Sequence, residues 1–222
     1  MTSMFRRSFL TLIASAAFAL SVPVLADEWV EGEHYDVIMP TIRVGASDVV
    51  VVNEFFWYGC GHCYTFEPML EAWAKQLPEG AVFKPSPAIW NGAMQLHAKA
   101  YYIAETLGVL EPMHQAIFRA MHVDHNRLGS PSALREVFVA NGVDGAKFDQ
   151  VFNSFGVDSQ VRQADARARS AKITGTPSLM VNGKYLISAS KAGSQANMLK
   201  VADFLVEKEL AAIEKKTKGE VQ

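Results

Sequence analysis

The chain predicts an α/β fold whose sheet is interrupted, between its third and fourth strands, by an all-helical insertion. Three observations carry that reading. The run Val49–Trp57 is β-branched and aromatic, and it leads straight into a segment of helical spacing. Successive apolar stripes at 3–4 spacing then fill the middle of the chain with no strand between them. Finally, Asn182-Gly183 joins two short apolar runs as a hairpin, and one more helical stripe closes the chain.

Glu31–Val44 reads as a lead-in, with a first strand around His34–Ile38. Val49–Trp57 lacks clean alternation, so it reads as a strand buried on both faces. After Cys60, the residues Phe66, Met69, Leu70, Trp73 and Leu77 share one helical face. That helix runs to about Gln76 and is stopped by Leu77-Pro78-Glu79-Gly80. Ala81–Pro85 is a short third strand. In the insertion, Ala100, Ile103, Ala104 and Leu107 form one stripe, and Met113, Ile117, Ala120 and Met121 a second. Ser130-Pro131 supplies an N-cap with proline at the first helical position, ahead of Leu134, Val137 and Phe138. Phe148, Val151, Phe152 and Phe155 make a fourth stripe, and Val161, Ala164, Ala168 and Ala171 a fifth. Ser178–Val181 and Lys184–Ser188 are the hairpin strands. Leu199, Ala202, Val206, Leu210 and Ile213 lie on the closing helix, with Lys215–Gln222 a solvated tail.

This order is that of a thioredoxin-like unit split by a helical domain: residues 27–89 as its first part, 90–165 as the insertion, and 166–222 as its second part. Residues 1–26 read as a signal peptide. Arg6 and Arg7 precede an apolar stretch, and Val24-Leu25-Ala26 offers small residues for cleavage after Ala26. An uncut membrane anchor is the competing reading of that stretch. Cleavage would deliver the protein to an exported compartment, where disulfides persist. The net charge of −2 for the whole chain becomes more negative once both arginines are removed, which leaves no electrostatic footprint for nucleic acid.

The chain has two cysteines, and both lie in Cys60-Gly61-His62-Cys63, between the buried strand and its helix. That placement points to thiol–disulfide redox chemistry. As a staple, so short a loop would contribute only about 2 kcal/mol. As a zinc site it lacks the remaining ligands, because His34, His97, His114, His122 and His125 show no ligand spacing and read as surface or ordinary helix residues. At a helix N-terminus Cys60 has unpaired N–H groups and the macrodipole in favour of its anion, so it is the attacking sulfur. A protonated His62 would add positive charge beside it. Cys63, a turn further in, is the buried resolving thiol. Glu54 is an acid in an apolar strand, where an unpaired charge is costly; the dull alternative is a strand-end residue facing solvent. Phe55 and Phe56 read as core, with Trp57 and Tyr58 bordering the site. Met94, Met113 and Met121 read as core packing, with an adaptable binding surface as the other possibility.

Taken together, Glu54-Phe55-Phe56, Cys60-Gly61-His62-Cys63-Tyr64, Leu77-Pro78-Glu79-Gly80, Gly175-Thr176-Pro177 and Val181-Asn182-Gly183-Lys184-Tyr185 resemble the DsbA family of bacterial periplasmic thiol oxidases. The resemblance spans nearly all of the chain after residue 26. It implies a thioredoxin fold with a helical insertion, a monomer, no cofactor beyond the redox-active Cys60–Cys63 disulfide, and oxidation of reduced unfolded exported proteins. It also implies re-oxidation by a DsbB-like membrane quinone oxidoreductase. The resemblance also implies a raised acidity of the first cysteine, its thiol pKa lying below that of a free cysteine. The resemblance further implies a cis Thr176–Pro177 bond beside the cysteines, with the Thr176 backbone free to pair with substrate. It places Glu54 beneath Cys63 as the group that takes its proton, with Lys84 as a possible counter-charge. Two departures bear on redox tuning. Gly61-His62 stands where the best-known members have Pro-His, and Gly-His is the dipeptide of disulfide isomerases. Thr176 stands where the best-known member has Val. A disulfide reductase or isomerase of the same fold is therefore the nearest rival reading, and a holdase with an incidental cysteine pair a more distant one.

Overall fold

The computed structural model describes residues 29–46 and 48–219; the expected signal peptide lies outside the described residues. The elements run β1 (Asp36–Val37), β2 (Val50–Phe56), α1 (Gly61–Ala74), β3 (Ala81–Pro87) and α2 (Gly92–Thr106). Next come α3 (Leu110–His122), α4 (Pro131–Ala140), α5 (Gly145–Phe152) and α6 (Phe155–Ser170). The last are β4 (Ser178–Val181), β5 (Tyr185–Ser188), α7 (Ala189–Ala192) and α8 (Gln195–Gly219). One sheet has the order β1-β5-β4-β2-β3, with β2 parallel to β3 and the other pairs antiparallel.

Every residue of β2 is buried, which is why its sequence does not alternate. Val50 and Val52 face Phe66, Leu70 and Trp73 of α1 and the apolar face of α8. Phe55, on the opposite face, packs with Met94, Ala168 and Ala171. A third cluster fills the helical region and takes in Phe56, Tyr58 and Cys63 from the sheet side. The redox segment therefore sits where the helical insertion meets the sheet.

Side chains at four helix starts satisfy orphan N–H groups: Asn91, Ser130, Asp144 and Ser154 each accept from the residue three positions on. The Ser154 cap corrects the fourth stripe. It starts a new helix at Phe155, turning that ring away from Phe148, and Phe155 is 79% exposed. Helix α6 also runs unbroken through the expected 165/166 domain boundary. Its Val161 and Ala164 belong to the helical-region core, whereas Ala168 and Ala171 pack against the sheet, so one helix serves both. The expected tail is helical as far as Gly219, supported by the exposed Glu214–Lys218 pair.

The hairpin turn has left-handed φ at both Asn182 (51°) and Gly183 (66°). Gly183 admits no side chain, because a Cβ there would lie 1.9 Å from the Ile42 carbonyl oxygen. The turn is tied to α8 through the buried carboxylate of Glu209, which accepts from Asn182 Nδ2 (2.6 Å), Lys184 Nζ (2.5 Å) and Tyr185 Oη (3.1 Å). Among the described residues no helix is long and apolar enough to cross a membrane.

Candidate active site

Cys60 is the N-cap of α1. Its extended backbone points Sγ back over the first turn, where it accepts the Cys63 N–H at 3.4 Å. Thr176 O lies 3.3 Å from the same sulfur, across the Thr176–Pro177 peptide, which is cis. The two sulfurs are free thiols in this structure. Cys60 is half-buried and Cys63 fully buried.

The Cys60 thiol is lowered to about 5. The largest cause is the hydrogen bond from the Cys63 thiol, opposed by burial and supported by the Thr176 side chain and the backbone N–H groups of Cys63 and His62. Thr176 O is an acceptor only. That carbonyl contact is donated by the protonated sulfur and is lost on ionisation, so the thiolate rests on the Cys63 thiol, the Thr176 side chain and the N–H groups of the helix terminus. Cys63 moves the other way. Burial pushes its thiol far up, and a negative Cys60 or Glu54 nearby pushes it further. One sulfur is thus an anion at neutral pH while its partner, three residues on, holds its proton.

The sequence expectation for His62 needs refinement. Its ring is exposed, and its influence on Cys60 passes through the backbone N–H, a contribution that any residue at this position would make. Its carbonyl accepts from Gln195 Nε2 at 2.7 Å, which braces the redox turn against α8. Gly61 faces open space. Beside the sulfur, His62, Gly175, Thr176, Pro177, Ser190 and Gln195 line a groove of about 290 Å³.

Glu54 is fully buried on the β2 face that carries Phe56. Neither of its oxygens has a hydrogen-bond partner among the described residues, and burial, then Glu67 and Cys60, hold its carboxyl well above the usual range. Lys84 is not its counter-charge. In the β2–β3 register Lys84 pairs with Asn53 and Pro85 with Glu54, so the alternation of a strand turns Lys84 to the other face, where it is exposed.

Three histidines read from sequence as surface or ordinary helix residues are structural. His97 is buried, with Nδ1 accepting from Trp57 Nε1 at 2.9 Å. His122 stacks on Tyr64, with ring centroids 4.7 Å apart, and its Nε2 lies 2.8 Å from Tyr58 O. His114 is buried beside the redox helix: Nδ1 is 2.7 Å from Tyr58 Oη, and Nε2 is 3.1 Å from Glu67 Oε1. Tyr58, expected at the border of the site, is 1% exposed and belongs to the core. Tyr58, Glu67 and His114 were missed as a group, although a signal existed. Glu67 is one turn beyond Cys63 on the apolar stripe Cys63, Phe66, Leu70, and His114 lies on the α3 stripe with Ile117 and Phe118.

The DSBA-like thioredoxin domain family matches residues 78–200. The thiol:disulfide interchange protein DsbA of Pseudomonas aeruginosa is 35% identical over 210 residues, covering 95% of this chain and all of that protein. The protein of the same name from Azotobacter vinelandii is 38% identical over 181 residues, covering 82% and 85%. The crystal structure of Pseudomonas aeruginosa DsbA superposes with a TM-score of 0.81 at 36% identity, covering 85% of this chain and 98% of that one. With a thioredoxin fold split by helices and a paired anionic and buried thiol at its redox turn, the chain belongs to the DsbA family of thiol:disulfide oxidoreductases.

Proposed function

We propose that this protein donates its Cys60–Cys63 disulfide to reduced, unfolded exported proteins in the periplasm, acting as a monomer after cleavage at Ala26. The supporting observation is the Cys60 sulfur: seated on a helix N-terminus and hydrogen-bonded by Cys63, it is stable as an anion. A stable thiolate lowers the free energy of the reduced enzyme, which makes the oxidised form the stronger oxidant.

A substrate thiolate attacks Cys60 Sγ. The new intermolecular S–S bond forms as the Cys60–Cys63 bond breaks, and the electron pair moves to Cys63 Sγ, which takes a proton from Glu54. A second substrate thiolate then attacks the substrate sulfur of the mixed disulfide and Cys60 departs as its thiolate. The substrate dithiol is oxidised and the enzyme reduced. A DsbB-like quinone-linked membrane partner restores the disulfide. The Thr176 backbone, beside the sulfur and the groove, receives the extended substrate, while His62 and Cys63 supply the backbone donors to the sulfur. No group beyond the two sulfurs and this proton is required.

The test is catalysed oxidation of a reduced, unfolded disulfide protein. Wild type should accelerate it and Cys60→Ala should give no turnover. A folded wild type without oxidase activity refutes the reading, and reshuffling of scrambled disulfides with no net oxidation would favour the isomerase suggested by Gly61-His62.

A further inference from the structure

One peptide group of the redox turn is held from both sides. The Cys63 N–H donates to Cys60 Sγ at 3.4 Å, and the carbonyl of that same peptide is that of His62. This carbonyl accepts from Gln195 Nε2 at 2.7 Å, a bond that reaches across 133 residues from α8, and from Thr65 Oγ1 at 3.1 Å within α1. The exchange reaction as described makes no use of Gln195. The corner that presents Gln195 is itself fixed. Gly193 follows α7 in the left-handed region, with φ 83°, and Ser194 Oγ accepts the Asn197 N–H at 3.0 Å at the start of α8. Asn197 Nδ2 returns to the Ala192 carbonyl at 3.0 Å. Beyond the corner, Met198, Leu199 and Leu205 of α8 share one core with Phe66 and Leu70 of α1, and Asp203 accepts from Trp73 Nε1 at 2.6 Å. A long side chain thus reaches the redox turn from a firm base.

We propose that Gln195 is a positioning residue of the redox centre: by gripping the His62–Cys63 peptide at its carbonyl, it aims and strengthens the N–H that supports a negative Cys60 sulfur, and so sets how oxidising the disulfide is. This inference rests on the exchange reading above. A donor on a carbonyl polarises its peptide, and the N–H of that peptide becomes the better donor. The same bond fixes the plane of the peptide, which keeps the N–H directed at Sγ. Gln195 is uncharged, so it acts apart from the titratable residues around the sulfur, which are Cys63 and His62 of α1 and Glu54 of β2. Asp203 supplies the comparison, because its bond to Trp73 also ties α8 to α1 but does not involve this peptide.

The test compares wild type with Gln195→Met, which keeps the length of the side chain but has no N–H to donate, and with Asp203→Ala. Cys60 thiolate absorbance is titrated against pH. The equilibrium of the cysteine pair with glutathione is read near neutral pH and again about one unit below the wild-type Cys60 midpoint. Gln195→Met should raise the Cys60 midpoint by about half a pH unit. Near neutral pH its equilibrium should shift about threefold toward the disulfide. That difference should vanish at the lower pH, where Cys60 carries its proton in both proteins. Asp203→Ala should leave both readings as in wild type. A folded Gln195→Met protein with the wild-type titration and equilibrium, in an enzyme that oxidises substrate, overturns the brace and leaves the proposed function standing. An equal shift in Asp203→Ala also overturns it, because the effect would then belong to helix docking at large. A wild-type Cys60 of ordinary thiol acidity overturns the function and the brace together.

Discussion

Replacing Cys63 by alanine isolates what holds the Cys60 thiolate. The substitution removes the hydrogen bond from the buried thiol, the largest cause of the raised acidity, but keeps the Thr176 side chain, the Cys63 and His62 backbone N–H groups and the helix terminus. A hydrogen bond to a charged acceptor is worth about 1.5–3 kcal/mol. Because Cys60 is only half-buried, solvent screening brings this to the low end, about 1.5 kcal/mol, or roughly one pH unit. The Cys60 thiol, at about 5 in the native protein, should therefore titrate near ~6 in Cys63→Ala, still well below the ~8.5 of a free cysteine. The assay is thiolate absorbance against pH, with Cys60→Ala as the blank. The same shift appears in stability. A thiol depressed by folding stabilises the folded reduced protein fully above its ordinary pKa, and that contribution is lost as pH falls through the folded value. In Cys63→Ala the contribution should be smaller, and its loss should be complete at a higher pH. A variant that titrates like wild type would show that the thiol donates nothing. One that returns to the ordinary value would show that the helix terminus donates nothing, and either result refutes the assignment.

Other substitutions follow from the same geometry. His62→Ala should move the Cys60 titration by less than about half a unit, because only the backbone of residue 62 reaches the sulfur; a rise of a full unit would return the role to the imidazole. Glu54→Leu should stabilise the folded protein by about 1 kcal/mol or more at neutral pH, measured by denaturant unfolding, because it removes a buried, unpartnered carboxyl. Burial raises the Glu54 carboxyl, so in wild type its contribution is present below the ordinary carboxylate range and is lost as pH rises towards the folded value. The variant should lack that decline, and it should pass the Cys63 proton more slowly. Gly183→Ala should cost more than about 2 kcal/mol, since it adds left-handed strain to a collision with the Ile42 carbonyl.

Much of this was legible in the sequence wherever a pattern was local. The unalternating β2, the capped α4, the Asn182-Gly183 turn and the cysteines at a helix start each follow from a few neighbouring residues. Proximity along the chain gives no register, and that is where the reading failed. Lys84 is close to Glu54 in the fold, yet a one-residue offset in the β2–β3 pairing sends it to the opposite face. Phe155 kept helical spacing with Phe148, but Ser154 reset the helix between them. The Tyr58–His114–Glu67 row joins a loop to two helices, and a pairing across 56 residues leaves no trace in either local pattern.

The most direct test of the account is the equilibrium of the Cys60–Cys63 pair with glutathione near neutral pH and again below pH 5. A thiolate-stabilised reduced form predicts a pair that is readily reduced by glutathione at neutral pH, with this bias shrinking once Cys60 is protonated. A disulfide that resists glutathione, or an equilibrium whose bias does not weaken across the Cys60 titration, would contradict it.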